Sequence, residues 1–277
     1  MLSAWRSLRI RFVPMNWVRS QRPNPTALLR LFCFPYAGGE PAYETWIDRF
    51  PPEVRRNVEL CSIHLPGRAS NRGEPPFSEL PPLLVTLERM IVPYHDLPYA
   101  FFGHSMGALL GFELARGLRR RELPGPVHLT VSGHRAPQRF DPNETIHNMP
   151  DREFRAKLRE FGGTPEEVLQ NAELIELLTP ILRADFAVCE RYSYVPEAPL
   201  DCSITVFGGN DDPRVSRDEL LDWRDQTTQS FSLRMFPGGH FFLQSAVSLF
   251  VRVLAQDLKN VLRKLAPASL LPQKRIK

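Results

Sequence analysis

The sequence predicts an α/β domain built on a mostly parallel sheet covered by helices on both faces. Short apolar strands alternate with amphipathic helical stretches along most of the chain, as crossover connections between parallel strands require. One such strand, residues 99–102, runs directly into Gly103-His104-Ser105-Met106-Gly107 and then into an apolar-periodic segment over 108–121. Between about 137 and 200 the alternation stops and apolar residues recur at helical spacing, which predicts a helical insertion between two strands.

In chain order, residues 27–34 read as a buried first strand. Phe34-Pro35-Tyr36-Ala37-Gly38-Gly39-Glu40 then forms a turn into a helix over 41–50. Residues 58–65 alternate as a second strand, ended by Pro66-Gly67. The polar, proline-rich stretch 68–82 reads as a surface loop, and 83–94 as an amphipathic helix. In the helix after the serine, Leu110, Leu114 and Leu118 share one face. Arg119, Arg120 and Arg121 fall in its last turn, where cations suit the helix dipole. Residues 127–132 form the next strand.

Inside the insertion, Thr164-Pro165-Glu166-Glu167 has the pattern of a capping box with proline at the first helical position. Leu174, Leu177, Leu178, Ile181 and Leu182 make one apolar stripe, with Pro180 setting a kink or a fresh start, and Phe154, Leu158 and Phe161 make another. Such faces either pack on the core or cover a substrate, and the two roles are compatible. Strands over 203–207 and 231–236, a turn over 208–213, the turn Pro237-Gly238-Gly239-His240 and a closing helix over 241–262 complete the pattern. The expected organisation is one domain over 27–265 with a helical lid at about 138–200. It is flanked by a basic, poorly ordered extension over 1–26 and a tail over 266–277.

With 43% hydrophobic and 24% charged residues, and no continuous apolar run able to span a bilayer, the composition is that of a soluble globular protein. Cys33, Cys61, Cys189 and Cys202 lie scattered, without a C-x-x-C pair or ligand spacing to histidine. That spacing argues against a metal site and for a reduced, cytoplasmic protein. No acidic residue precedes Glu40, whereas Arg6, Arg9, Arg11, Arg19, Arg22 and Arg30 do, so the start of the chain reads as a non-essential basic arm.

A strand, a one-residue hinge and a helix give the G-x-S-x-G motif its meaning as a nucleophile elbow, with Ser105 at the carboxyl edge of the sheet. A serine hydroxyl needs a base within hydrogen-bond reach, itself oriented by an acid, and on such a sheet they follow in the order serine, acid, histidine. His240, in a glycine turn after the last strand, is the expected base. His104 is expected to pack, and His64, His95, His128, His134 and His147 to be structural. The acid belongs in the turn after the preceding strand, where both Asp211 and Asp212 qualify. Asp211 is the choice, with Asp212 before Pro213 reading as a cap. Asp185 and Asp201 read as solvated. Two backbone donors are needed for a tetrahedral oxyanion: the amide of Met106 comes with the elbow, and Ala37 in the small-residue turn after the first strand is the candidate for the second.

Taken together, Phe34-Pro35-Tyr36-Ala37-Gly38-Gly39, Leu65-Pro66-Gly67-Arg68, Gly103-His104-Ser105-Met106-Gly107, Gly208-Gly209-Asn210-Asp211-Asp212 and Pro237-Gly238-Gly239-His240-Phe241 resemble the stand-alone type II thioesterases that accompany polyketide synthases and non-ribosomal peptide synthetases. The resemblance runs from about residue 27 to 262. It implies an α/β-hydrolase fold with a helical lid, and hydrolysis of acyl or aminoacyl thioesters from the phosphopantetheine arm of a carrier protein. The triad chemistry itself calls for no cofactor, and the chain is expected to be a monomer. The family's nucleophile, acid and base carry over to Ser105, Asp211 and His240, and its oxyanion amides to Ala37 and Met106. The basic amino-terminal extension departs from the family pattern. An oxygen-esterase, an acyltransferase, or a catalytically silent carrier-binding scaffold are the alternatives. Arg116, Arg119, Arg120 and Arg121 are candidates for steering an acidic carrier, against the reading that they form a solvated helix end.

Overall fold

The apolar runs of the sequence become strands buried on both faces, and all six residues of the central strand are buried. The computed structural model describes residues 17–39, 42–139 and 145–265. Within them, seven strands form one sheet: β1 (Val18–Arg19), β2 (Leu29–Phe34), β3 (Val58–Ile63), β4 (Tyr99–His104), β5 (His128–Ser132), β6 (Ser203–Gly209) and β7 (Phe231–Phe236). Their spatial order is β1-β3-β2-β4-β5-β6-β7. All neighbours are parallel except β1, which runs antiparallel to β3. This is the α/β-hydrolase architecture expected from the sequence.

The described helices are α1 (Trp46–Arg49), α2 (Pro52–Asn57), α3 (Leu80–Ile91), α4 (Met106–Arg120), α5 (Asp151–Phe161), α6 (Glu166–Gln170), α7 (Ala172–Glu190), α8 (Arg217–Leu221), α9 (Phe242–Ser245) and α10 (Val247–Leu265). One face of the sheet is closed by α3 and α4, where Leu83, Leu87, Leu110 and Leu114 meet Phe32, Phe101 and Leu129. The other is closed by α1, α2 and α10, through Trp46, Val54, Phe250 and Leu254 against Leu31, Phe102 and Phe207. Helices α5, α6 and α7 lie between β5 and β6 in sequence and share an apolar cluster of Ile146, Phe154, Leu158, Leu169, Ile175 and Leu182.

Several sequence expectations are corrected. The ordered domain begins before residue 27: Trp17 is only 1% exposed, its Nε1 donates to Glu74 Oε2 at 3.0 Å, and Val18 and Arg19 extend the sheet. Residues 1–16 and 266–277, the rest of the expected arm and tail, lie outside the described residues. Helix α3 starts at Leu80, earlier than predicted, because Pro81 and Pro82 fit the first turn, where a missing N–H costs nothing. The Thr164 capping box does not form: Pro165 stands at the N-cap of α6 without a side-chain bond. The box that does form is Ser216–Glu219 at α8. In α7 the buried stripe is turned by a residue, with Ile175 fully buried while Leu174 and Leu177 are 43% and 70% exposed. Pro180 sits inside a continuous α7. The closing helix is broken at Ala246, which separates α9 from α10.

Candidate active site

Helix α4 begins one residue after β4 ends, so Ser105 must reverse the chain alone. It does so at φ 51° and ψ −119°, in the left-handed half of backbone space. Its N–H donates to the Ser132 carbonyl at 2.8 Å, and its carbonyl accepts from the Ala108 N–H at 2.9 Å, fixing the strained residue from both sides. The flanking glycines are required by contact. A Cβ on Gly103 would lie 2.0 Å from the Gly107 carbonyl oxygen, and one on Gly107 would lie 2.3 Å from that of Phe34. Ser105 therefore stands at the carboxyl end of β4, over the amino terminus of α4, where the dipole favours developing negative charge.

The turn after β7 brings His240 to the same sheet edge, 6% exposed. Its Nδ1 is 2.8 Å from Asp212 Oδ2, and the Asp212 side chain is 1% exposed. The other Asp212 oxygen accepts the Arg214 N–H at 2.9 Å. The acid that reaches the histidine is thus Asp212 and not Asp211. The main-chain N–H of Asp211 donates to the Gly238 carbonyl at 3.0 Å, and the residue is exposed. That bond fixes the loop with Asp211 turned outward and leaves Asp212 to meet the histidine. Burial pushes the His240 imidazole below its ordinary range, opposed by its bond to Asp212 and reinforced by the charge of Arg214. The free Nε2 is buried and without a hydrogen-bond partner.

Ser105, Met106, Ala37 and His240 line one cavity of about 470 Å³. The insertion contributes Ile146, Phe161, Phe186, Cys189 and Glu190 to its lining. Only Phe161 of these stands in a stripe expected from the sequence, although Leu178, Leu182, Phe186 and Cys189 continue one helical face. In the turn after β2, the Gly39 N–H donates to the Tyr36 carbonyl at 2.8 Å and the Gly38 N–H to Asp185 Oδ2 at 2.7 Å. Ala37 is the member of that turn that borders the cavity together with Ser105. Asp185, expected to be solvated, is 3% exposed and pairs with Arg68, itself 4% exposed, at 2.7 Å. The stretch after Gly67 is therefore partly buried rather than wholly a surface loop.

The remaining histidines are structural, except that His134 also lines the cavity. His104 is fully buried, with Nδ1 3.0 Å from Ser132 Oγ and its ring 5.0 Å from that of His240. His128 bonds Ser203, His64 bonds Glu44, His147 bonds Glu190, and His95 stacks on Tyr99. The arginines considered for steering are engaged within the chain. Arg116 pairs with Glu113 and Glu197, Arg119 and Arg120 with Glu197, and Arg121 with Glu88. They also sit at the far end of α4 from Ser105, about 20 Å away at 1.5 Å per residue.

A serine at a strained strand–helix hinge, sharing one cavity with a buried histidine that is bonded to a carboxylate from the preceding strand's turn, fits a site of the α/β-hydrolase type. Residues 29–257 match the Thioesterase domain family, and the chain belongs to that family. It is 44% identical over 248 residues to the gramicidin S biosynthesis protein GrsT of Aneurinibacillus migulanus, covering 89% of this chain and 95% of that one. Among solved structures it is similar to the type II thioesterase BorB of the borrelidin cluster (TM-score 0.76, 32% identity, 88% and 96% of the two chains). It is likewise similar to RedJ, a thioesterase of the prodiginine pathway in Streptomyces coelicolor (TM-score 0.75, 38% identity, 84% and 93%). The chain is accordingly a thioester hydrolase of the type II thioesterase kind.

Proposed function

We propose that this protein is a stand-alone editing thioesterase that clears acyl or aminoacyl groups from the phosphopantetheine arm of a carrier protein serving a polyketide or non-ribosomal peptide synthase. The observation that carries the chemistry is the His240–Asp212 bond, which leaves a buried, unpartnered Nε2 on a histidine that lines the same cavity as Ser105. The family and the relatives' names support the substrate class.

In this reading His240 Nε2 takes the Ser105 proton as Oγ attacks the thioester carbonyl, and Asp212 fixes the imidazole tautomer and stabilises the imidazolium. The amides of Met106 and Ala37 receive the oxyanion. Collapse breaks the C–S bond, and the imidazolium proton goes to the departing thiolate. Water, deprotonated by the same Nε2, then releases the acid from the acyl-serine and restores the hydroxyl. The cycle uses only this chain's groups and water, and the protein acts as a cytoplasmic monomer. The helices of the insertion serve as the lid, a reading supported by the lining residues they supply to the cavity that Ser105 borders. Among the described residues no helix is long and apolar enough to cross a membrane.

The test is mass spectrometry of acyl-loaded carrier protein incubated with parental enzyme and with Ser105→Ala. Conversion to free phosphopantetheine thiol by the parent alone supports the proposal. Equal conversion by the variant refutes it. Hydrolysis of aryl esters without any action on the loaded carrier would identify an oxygen-esterase instead.

A further inference from the structure

The turn that offers Ala37 to the cavity is held mainly from outside its own strand. Asp185, in the middle of α7, accepts the Gly38 N–H at 2.7 Å through Oδ2 and the Arg68 guanidinium at 2.7 Å through Oδ1. Arg68 reaches the Gly39 carbonyl at 3.4 Å, so the ion pair brackets Gly38 and Gly39 from both sides. Neighbouring contacts leave the turn no slack. Gly38 has φ +70°, and a Cβ there would lie 2.2 Å from Leu182 Cδ2, one turn of α7 before Asp185. Both ionic groups are almost fully buried. Desolvating an ion pair is costly, and replacing one with apolar groups is often neutral or stabilising. Fold stability therefore gives little reason to place one here. Orienting a peptide plane does give a reason, because a carboxylate holds an N–H more firmly than a neutral acceptor.

We propose that Asp185 is a positioning residue for the oxyanion site: by holding the Gly38 N–H it fixes the Ala37–Gly38 peptide and with it the turn that presents the Ala37 N–H, so the insertion helix and the oxyanion donor are set together. This rests on the reading of Ser105 and Ala37 given above. When α7 is seated, the turn is aimed at the tetrahedral oxygen. When α7 lifts, Gly38 loses its acceptor and the donor loses its aim.

The test uses the full chain, a short-chain acyl-N-acetylcysteamine thioester and an alkyl boronic acid that forms a tetrahedral adduct on serine. Asp185→Asn should lower kcat about 10- to 100-fold with little change in KM, as expected for a misplaced rather than deleted donor. Boronate affinity should fall in parallel. Because Asp185→Asn leaves Arg68 buried and unpaired, the double variant Arg68→Met/Asp185→Leu is the companion: it should unfold at or above the parental temperature and still show the kcat loss. If the double variant recovers kcat along with stability, Asp185 is merely structural and the proposal fails. A parent that neither takes a fluorophosphonate on Ser105 nor binds the boronate would instead overturn the nucleophile reading. A parent that does both, with variants binding boronate as tightly, overturns the Asp185 proposal alone.

Discussion

Asp212 and His240 are hydrogen-bonded at the carboxyl edge of the sheet, Oδ2 to Nδ1 at 2.8 Å, with the carboxylate's second oxygen held by the Arg214 amide. Both carboxylate oxygens are therefore engaged, and His240, held through Nδ1, lines the cavity with its Nε2 buried and unpartnered. The neighbouring Asp211 has an exposed position and no part in this arrangement.

Asp212→Asn should lower kcat roughly 1,000- to 10,000-fold by presenting the wrong imidazole tautomer to the serine. Asp211→Asn should leave it near the parental value. Steady-state thioester hydrolysis by the two variants separates the carboxylates, and the reverse order would restore Asp211 as the acid.

The pH dependence of kcat/KM should show its acid limb below 6.5, the ordinary histidine value, because burial lowers the His240 pKa. The base works only when neutral, so activity is lost as pH falls through that lowered value. The charge of Arg214 contributes to the lowering. Arg214→Gln should accordingly move the limb upward, which a pH–rate profile would detect.

Acidification should also weaken the fold. His128 and His134 are pushed down to about 4 by burial, whereas an unfolded imidazole titrates near 6.5. Between those values the unfolded chain binds more protons, so the stability these groups contribute is whole above 6.5 and lost as pH falls toward 4. Thermal unfolding across this window should show Tm falling with pH. His128→Gln should make that fall shallower.

Ile175→Ala should cost about 2–5 kcal/mol in urea unfolding, because it opens a void in the apolar cluster of the insertion. Leu177→Ala, two residues away and 70% exposed, should change stability by less than about 0.5 kcal/mol. Equal effects would mean that α7 is rotated relative to its neighbours.

Neutralising Arg120 and Arg121 together should leave both the rate on a loaded carrier and its salt dependence unchanged, since each already faces a glutamate of this chain at the end of α4 remote from Ser105. Stopped-flow or gel-based turnover at two ionic strengths would check it.

The parts of the site legible in the sequence are those fixed by local backbone demands. The Gly103–Gly107 elbow announces itself because two positions can hold no side chain, and His240 because a glycine turn follows the last strand. The choice between Asp211 and Asp212 was not legible, since it depends on which side of a loop faces the sheet edge, a rotation set by the contact of Asp211 with Gly238. Asp185 and Arg68 were hidden for a different reason. They are 117 residues apart, and only the docking of α7 on the loop after β3 makes them partners. In α7 the helical period was visible but its phase was not, because Ile175 and Leu174 are equally apolar and tertiary packing chose between them.

The short pairing of Val18–Arg19 along Val58–Ile63 bears on how the protein can be handled at the bench. A version trimmed to begin at Ala27 would strip that cover and bare the Ser62–Ile63 end of the edge strand, lengthening the stretch of unpaired amides and carbonyls open to strand-by-strand association between molecules. Such trimmed preparations should precipitate at concentrations where chains retaining Trp17 stay clear, a difference readable by light scattering.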